Sequence, residues 1–472
     1  MFGEYPVVKI IYQLETDNLL PAILFRTARK QCDQDLDKIA YEHDLMLPKQ
    51  KTLDLRQAVT DIAKHYRIDQ DIFESNPQFE ILMRFGVGAH HAGQLLLWRL
   101  LLEELMTKGL LRLMIATGTV AAGVDFPART AVVTAHSRRS GQGFQLVTSS
   151  EFQQMAGRAG RRGKDTIGFC LVAPSLYSDA RVIFDIARKP PEPLRSAYFA
   201  SPATVLNLMK YRTVDDLRYT VQKSLASFLD SKHATQMEKT VSEMEEELNS
   251  SDATGAQKKS TEKRIRREKS RADKLRIQQQ QLLELTLYGL DHLGYVKDGG
   301  LTEKGTWAAE LCSSLVLELS EAVAEHVFTD LKLEDLIGLI ASIAGDSYRP
   351  YLTIAKNNIP KELFKSMETI VNRIQQVYQG APFLGEIAVN PAAASTVLSW
   401  VSADSWETYS GLLRLGGVSE GDAARLISQT ADQLNQIGRL TESHPALAKA
   451  AKEARELLMR PPITEVGGVD LI

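Results

Sequence analysis

Two arginines, Arg158 and Arg161, stand three apart in the segment Gln154-Met-Ala-Gly-Arg-Ala-Gly-Arg-Arg-Gly163. A guanidinium keeps its charge at any physiological pH and presents planar, forked donors, so a pair of them suits a polyphosphate. The intervening glycines thin the segment and let backbone come close to a ligand. When a phosphoryl group leaves, negative charge spreads over its oxygens, and an arginine placed there is worth about 10³–10⁵ in rate. Upstream, Ala116-Thr-Gly-Thr-Val-Ala-Ala-Gly-Val-Asp-Phe-Pro127 offers the hydroxyls of Thr117 and Thr119 beside backbone N–H groups. Such donors hold the phosphates of a nucleic-acid strand without reading its bases. Gly123 lets that backbone turn, and Asp125 is suited to ordering a ribose or a bridging water. Adjacent His90 and His91 raise the question of a metal, but no acidic or thiol partner lies at ligand spacing, and none is expected.

These residues need a scaffold. Four short apolar runs, Ala22 to Phe25, Leu111 to Ala116, Ala131 to Ala135 and Gly168 to Ala173, have the length and β-branched content of buried strands. Helical patterns lie between some of them, at Arg29 to Glu42 and Gln94 to Lys108. Strands buried on both faces and alternating with helices imply a parallel α/β sheet, whose ligands gather at the carboxyl ends of the strands.

The arginine segment resembles motif VI of superfamily-two helicases, and its Arg-Arg-Gly ending is similar to the superkiller-type and exosome-associated DExH-box RNA helicases. The resemblance implies that Gln154, Arg158 and Arg161 meet ATP from across a cleft, the arginines at the γ-phosphate. Pro21-Ala-Ile-Leu-Phe-Arg-Thr-Ala-Arg-Lys30 resembles motif IV, which implies that Thr27 and Arg29 meet an RNA phosphate. Gly86-Val-Gly-Ala-His-His-Ala-Gly93 is similar to the family's Gly-x-x-x-His-His-x-Gly element, with His90 and His91 as phosphate donors. The threonine-bearing loop resembles motif V, which couples the RNA track to the nucleotide; Thr117 and Thr119 then face the strand, Gly123 and Asp125 the nucleotide. Two departures stand out: Gly118 where the family often has Glu, and Asp125 where it often has Asn. The first removes an acidic contact and leaves the phosphate-side geometry intact.

A helicase cleft also needs a phosphate cradle, Gly-x-x-x-x-Gly-Lys-Ser/Thr, and an acidic magnesium box. Neither occurs: Gly163-Lys164 is followed by Asp165, and the sequence holds no Asp-Glu dipeptide. The chain is thus expected to begin about where a second RecA-like domain begins and to hold half of an ATP site. Magnesium would come only through a first RecA-like domain on another polypeptide, and no ATP hydrolysis is expected of the chain alone. The enzymatic reading is an ATP-dependent RNA helicase once completed. The alternatives are a non-catalytic RNA- or protein-binding module and part of a DNA helicase of the same superfamily.

The remainder fits an ordinary globular protein: 472 residues, 44% hydrophobic and 24% charged. The length allows two to four domains. No run approaches the ~18 apolar residues of a membrane span, so no membrane partner is expected. Three well-separated cysteines suggest neither a disulfide framework nor zinc, and a cytoplasmic setting is the default. A net charge of −3 confines any RNA contact to local patches.

The expected order is a second RecA-like domain over residues 1–195, a winged-helix module over 196–312, and a C-terminal helical, ratchet-like domain over 313–472. After a proline-marked linker at Lys189 to Pro193 come helices, then Met237, Val241, Met244 and Leu248 at coiled-coil spacing. A flexible turn at Ser250 to Ala256 and ten Lys or Arg against three acids between Lys258 and Arg276 complete a helical hairpin inserted at about 233–280. Its first arm is acidic around Glu243 to Glu247, so cross-hairpin pairing competes with an RNA or protein contact as the role of the basic arm. Gly294 to Gly305 reads as a turn-rich wing. Trp406 to Leu440 resembles the family's helix beside RNA, with Arg425 as the expected contact and Ser428, Gln429 and Gln433 where relatives are richer in arginine.

Overall fold

The computed structural model describes residues 5–118, 127–140, 143–175, 178–250, 255–383, 385 and 387–464. Its first part contains helix α1 (Val7–Thr16), strand β1 (Ala22–Arg26), α2 (Arg29–Ala40), α3 (Lys49–Tyr66), α4 (Asp71–Glu74), α5 (Phe79–Phe85), β2 (Val87–His90), α6 (Leu96–Thr107), β3 (Leu113–Thr117) and β4 (Thr130–Val133). A hairpin of β5 (Ser137–Ser140) and β6 (Gly143–Leu146) follows, then α7 (Ser149–Ala156), β7 (Phe169–Val172) and α8 (Ala180–Arg188). Five strands form one parallel sheet in the order β2-β3-β1-β4-β7. Successive side chains alternate between its faces, as strand geometry requires. Ile23, Phe25, Met114 and Ala116 enter the core built with α3, α5 and α6, while Ala22, Leu24, Leu113 and Ile115 enter the core built with α1 and α2. Both faces are therefore dry, which is why these strands read as unbroken apolar runs.

The second part begins after an irregular stretch at 190–201. It comprises α9 (Pro202–Met209), α10 (Val214–Gln222), α11 (Leu225–Ser250), α12 (Gly255–His292), β8 (Val296–Lys297), β9 (Gly300–Leu301), α13 (Glu303–Ala308), α14 (Val316–Ala324), α15 (Leu333–Ala344), α16 (Lys361–Val377), α17 (Pro391–Ser402), α18 (Trp406–Leu415), α19 (Glu420–Ile437) and α20 (Pro445–Leu458). The β8–β9 hairpin turns through Asp298 and Gly299, both at positive φ, the requirement of a two-residue type I′ turn. Helix α15 packs against α17, α19 and α20, and Trp400 of α17 meets Trp406 and Tyr409 of α18, the three rings 5.4–5.5 Å apart. The core on the α3–α6 side of the sheet runs without a break into these helices.

Helices α11 and α12 pair along their length, with Arg276 bonded to Glu238 at 2.6 Å and Lys269 to Glu245 at 2.7 Å. The pairs run in opposite order along the two arms, so the hairpin is antiparallel and part of the basic excess is neutralised across it. The hairpin starts earlier than the expected 233, and its second arm does not stop near 280: α12 continues unbroken to His292. No proline or glycine interrupts residues 257 to 288, so nothing in the backbone chemistry ends the helix there.

Candidate functional site

The carboxyl ends of β1, β3 and β4 open into a cavity of about 480 Å³. Its wall includes Thr27 and Arg29 just past β1, Thr117 at the end of β3 with Gly118 beyond it, and Gln154 on α7. Residues from three separate sequence motifs thus share one concavity, at the end of the sheet where such folds bind ligands. Helix α7 is fixed from both sides of its first turn. Thr148 accepts from the Glu151 N–H while the Glu151 carboxylate accepts from the Thr148 N–H, a reciprocal capping box. Glu192, from the irregular stretch after α8, accepts from Ser149 N and Ser150 N at 2.8 Å each. The Ser150 and Ser149 hydrogen bonds hold its carboxyl down at about 2.

Three cations line the cavity, and each faces a carboxylate: Arg26 bonds Asp35, Arg29 bonds Asp422, and Arg138 bonds Glu151. Arg26 is sealed, with 2% of its side chain exposed, whereas Arg29 keeps 32% exposed. Thr27 is exposed, its hydroxyl donating to Gln31 at 3.0 Å. The expectation that Arg29 is available to a strand's phosphate therefore needs amending: it is engaged by a carboxylate on α19, 393 residues away. Asp422 was not singled out from the sequence, and no local pattern marks it.

His90 and His91 do not line this cavity, although the adjacent Ala92 does. Both are 3% exposed. His90 closes β2 with Nε2 at 2.5 Å from Glu103 on α6, and burial lowers its pKa. His91 accepts the Gly93 N–H on Nδ1, so its proton sits on Nε2, directed at Asp33 3.0 Å away. As folded, these rings brace the loop at 91–94 from within. The reason is burial: the strand they follow is covered on both faces, which turns their side chains toward protein carboxylates.

The arginine segment forms the turn after α7. Gly160, at φ 93°, crosses Gly168 so closely that a Cβ at 168 would stand 2.5 Å from the carbonyl of Ala159. The glycines here serve an approach of the chain to itself. Backbone bonds from Ala128 N to Arg158 O (2.9 Å) and from Gly160 N to Ala128 O (2.7 Å) pin the turn beside β4. Arg158 is half-buried and Arg161 20% exposed at its side chain. Neither lines the cavity that holds Gln154. Arg161 makes a two-pronged pair with Asp165, Nε to Oδ2 at 2.8 Å and Nη2 to Oδ1 at 2.9 Å, and its own N–H donates to the same carboxylate. Those bonds push the Asp165 carboxyl down to about 2. Thr119, Gly123 and Asp125 lie outside the described residues.

Arg425 is exposed on α19, with Nη2 3.7 Å from Asp346. Gln433 is buried and accepts from Ser313, which removes it from any strand-facing surface. Among the described residues no group of three His, Cys, Asp or Glu side chains is placed to hold a metal ion, and no helix is long and apolar enough to cross a membrane.

With this geometry in hand, comparison with known proteins is specific. Residues 298–466 match the DSHCT (NUC185) domain. The DExH-box ATP-dependent RNA helicase DExH15 of Arabidopsis thaliana is 34% identical over 200 residues, 42% of this chain and 16% of its own length. The human exosome RNA helicase MTR4 is 29% identical over 252 residues, 52% of this chain and 23% of its own. The antiviral helicase SKI2 of Saccharomyces cerevisiae is 28% identical over 247 residues, covering 51% and 18%. The chain is homologous to MTR4- and SKI2-type DExH RNA helicases over about half its length. It spans a quarter or less of the curated relatives it matches.

Proposed function

We propose that this chain is the C-terminal portion of an ATP-dependent RNA helicase. In this reading the sheet region acts as the second RecA-like domain, residues 196–312 as a winged helix carrying the α11–α12 hairpin, and α14–α20 as the ratchet-like helical domain. The cavity at the carboxyl edge of the sheet grips the backbone of single-stranded RNA through Thr27, Arg29 and Thr117, with Arg425 on α19 and, by the family resemblance, Thr119 as further contacts. Phosphate contacts of this kind position a strand without selecting sequence. The observation that carries the reading is the convergence of Thr27, Arg29, Thr117 and Gln154 on one cavity. Homology to RNA helicases supports the choice of RNA over DNA.

Arg158 and Arg161 serve as the arginines that complete a nucleotide pocket, and the family resemblance adds Gln154, Gly123 and Asp125 as its further nucleotide contacts. The Arg161 fork already binds both oxygens of one carboxylate, the two-pronged contact it would offer to a phosphate. It fits an anion, provided Asp165 yields it. Bound ATP would supply the phosphoryl group whose developing charge the arginines neutralise. The phosphate cradle and the magnesium ligands would come from a first RecA-like domain outside these residues.

RNA-stimulated ATP turnover by the isolated chain is expected to be absent, and to appear when a first RecA-like domain is supplied, joined or separate. Oligouridine should bind the chain more tightly than oligothymidine does. Equal competition by the two strands would favour a DNA helicase, and failure of any strand to bind at low salt would leave only a protein-binding module.

A further inference from the structure

Of the cavity arginines with exposed side-chain surface, Arg29 is held by a carboxylate from the far end of the chain, Arg138 by the nearby Glu151. Asp422 sits in the first turn of α19, 6% exposed, and receives Arg29 Nη1 on both oxygens, at 3.0 and 2.9 Å. The same carboxylate accepts from Arg349, and from the Ser419 hydroxyl at 2.7 Å. Its helix is seated on the sheet region by backbone. Gly421 N donates to Gly93 O at 2.9 Å, and a Cβ at 421 would stand 2.5 Å from the carbonyl oxygens of both Ala92 and Gln94. Ala92 lines the same cavity as Arg29.

We infer that Asp422 competes with a strand's phosphate for Arg29 and so sets the affinity of the cavity for single-stranded RNA, linking strand engagement to α19. The inference rests on the reading of the cavity as a strand site. Two features make the exchange feasible. If Arg29 turns to a phosphodiester, Asp422 keeps Arg349 and Ser419, so no buried carboxylate is left unpaired, the outcome that makes breaking most buried ion pairs costly. Arg29 is also the exposed one of the cavity's two β1-end arginines; Arg26 is sealed against Asp35 and has no such freedom. Because α19 carries both Asp422 and the exposed Arg425, the helix that releases one cation presents another.

The test uses the full chain and a fluorescein-labelled oligouridine of about 12 nucleotides, titrated from low to moderate KCl. Asp422→Asn keeps the shape and removes the competing charge. It should bind about 3–10-fold tighter, and its log-affinity against log-salt slope should steepen by about 0.7, one further phosphate on a single strand. In an Arg29→Met background the same substitution should change nothing, which separates exchange at Arg29 from simple loss of negative charge. Arg349→Met, which leaves Arg29 as the one cation bonded to Asp422 among the described residues, should weaken binding. A gain of affinity cannot come from misfolding, so the Asp422→Asn result stands even if Arg349→Met is unstable. Wild-type binding with equal or weaker binding by Asp422→Asn, or tightening that persists without Arg29, overturns the inference alone. Absence of binding by both wild type and Asp422→Asn overturns the strand-site reading itself.

Discussion

Two arginine–aspartate pairs in this molecule do opposite things with the same chemistry. Arg161 and Asp165 lie four residues apart in one turn, and the pair forms whenever that turn forms. Arg29 and Asp422 lie at opposite ends of the chain, and their pair forms only when α19 is seated on the loop at 91–94. In the first, exchange of the carboxylate for another anion is an event within a loop. In the second, it changes what holds two regions together. In either case the guanidinium is kept on a carboxylate, because a half-buried cation without a partner is costly. What differs is how far the exchange is felt.

The seating of α19 gives the largest test of this contrast. Gly421→Val would drive side-chain atoms into the Ala92 and Gln94 carbonyls, and backbone cannot yield as a side chain tip can. The expected cost is about 3 kcal/mol, in the upper range for overpacking. It should fall on the distant pair, so that thermal unfolding splits, with the helical region melting first and the Arg161 turn intact. Gly411→Val, where an added Cβ meets nothing within 4 Å, is the control. One unsplit transition at the wild-type temperature would mean that α19 is not held there.

The local pair is worth less. Asp165→Asn removes a two-pronged, charge-assisted interaction from a partly exposed site, for about 1–2 kcal/mol. The sign of its pH dependence follows from the depressed carboxyl. Unfolded, Asp165 titrates near 4; folded, at about 2. Its stabilisation is complete above about pH 5 and is lost progressively as pH falls through 2. Urea midpoints of wild type and Asp165→Asn should therefore differ at pH 7, draw together below about pH 4 and converge only below about pH 2. A gap that persists there would place the stabilisation in something other than the charged pair.

The contrast also shows why the sequence was legible in parts. Strands β1, β3, β4 and β7 were visible because burial on both faces leaves an apolar run that needs no knowledge of neighbours. Thr27 and Thr117 could be placed because each follows or ends such a strand, whereas Gln154, on α7, was marked only by the motif resemblance. Strand β2 was hidden: Val87-Gly-Ala-His is short, and Gly88 is there because Leu102 of α6 packs where a Cβ would be. Its histidines were read as phosphate donors from the family resemblance, which says nothing of their burial. The β5–β6 hairpin carries Arg138, Arg139 and Gln145 in place of an apolar run, and gave no strand signal. Asp165 stood next to the motif, and its four-residue offset from Arg161 was the available clue. Asp422 had none, since a partner 393 residues away is a property of the folded chain.

A third pair sharpens the comparison by using a cation that can discharge itself. His90 faces Glu103 across thirteen residues, and its pKa lies below the ordinary histidine value because burial outweighs the carboxylate. Between about pH 6.5 and that lower value the unfolded chain takes up a proton that the folded chain refuses. Stability should then fall as pH drops through 6.5, with a limit of about 1.4 kcal/mol for each unit that separates the two values. His90→Gln retains an amide N–H for Glu103 and does not titrate, so the stability–pH curve between 5 and 6.5 should flatten. Glu103→Gln removes the charge that favours the imidazolium, so it should steepen the curve. The Arg161–Asp165 pair should not respond in that window, because guanidinium does not titrate and Asp165 is already ionised. A His90→Gln curve as steep as wild type would assign the acid sensitivity to another group. The buried histidine would then be a brace with no influence on pH dependence, and the arginine pairs would lose their most direct internal reference.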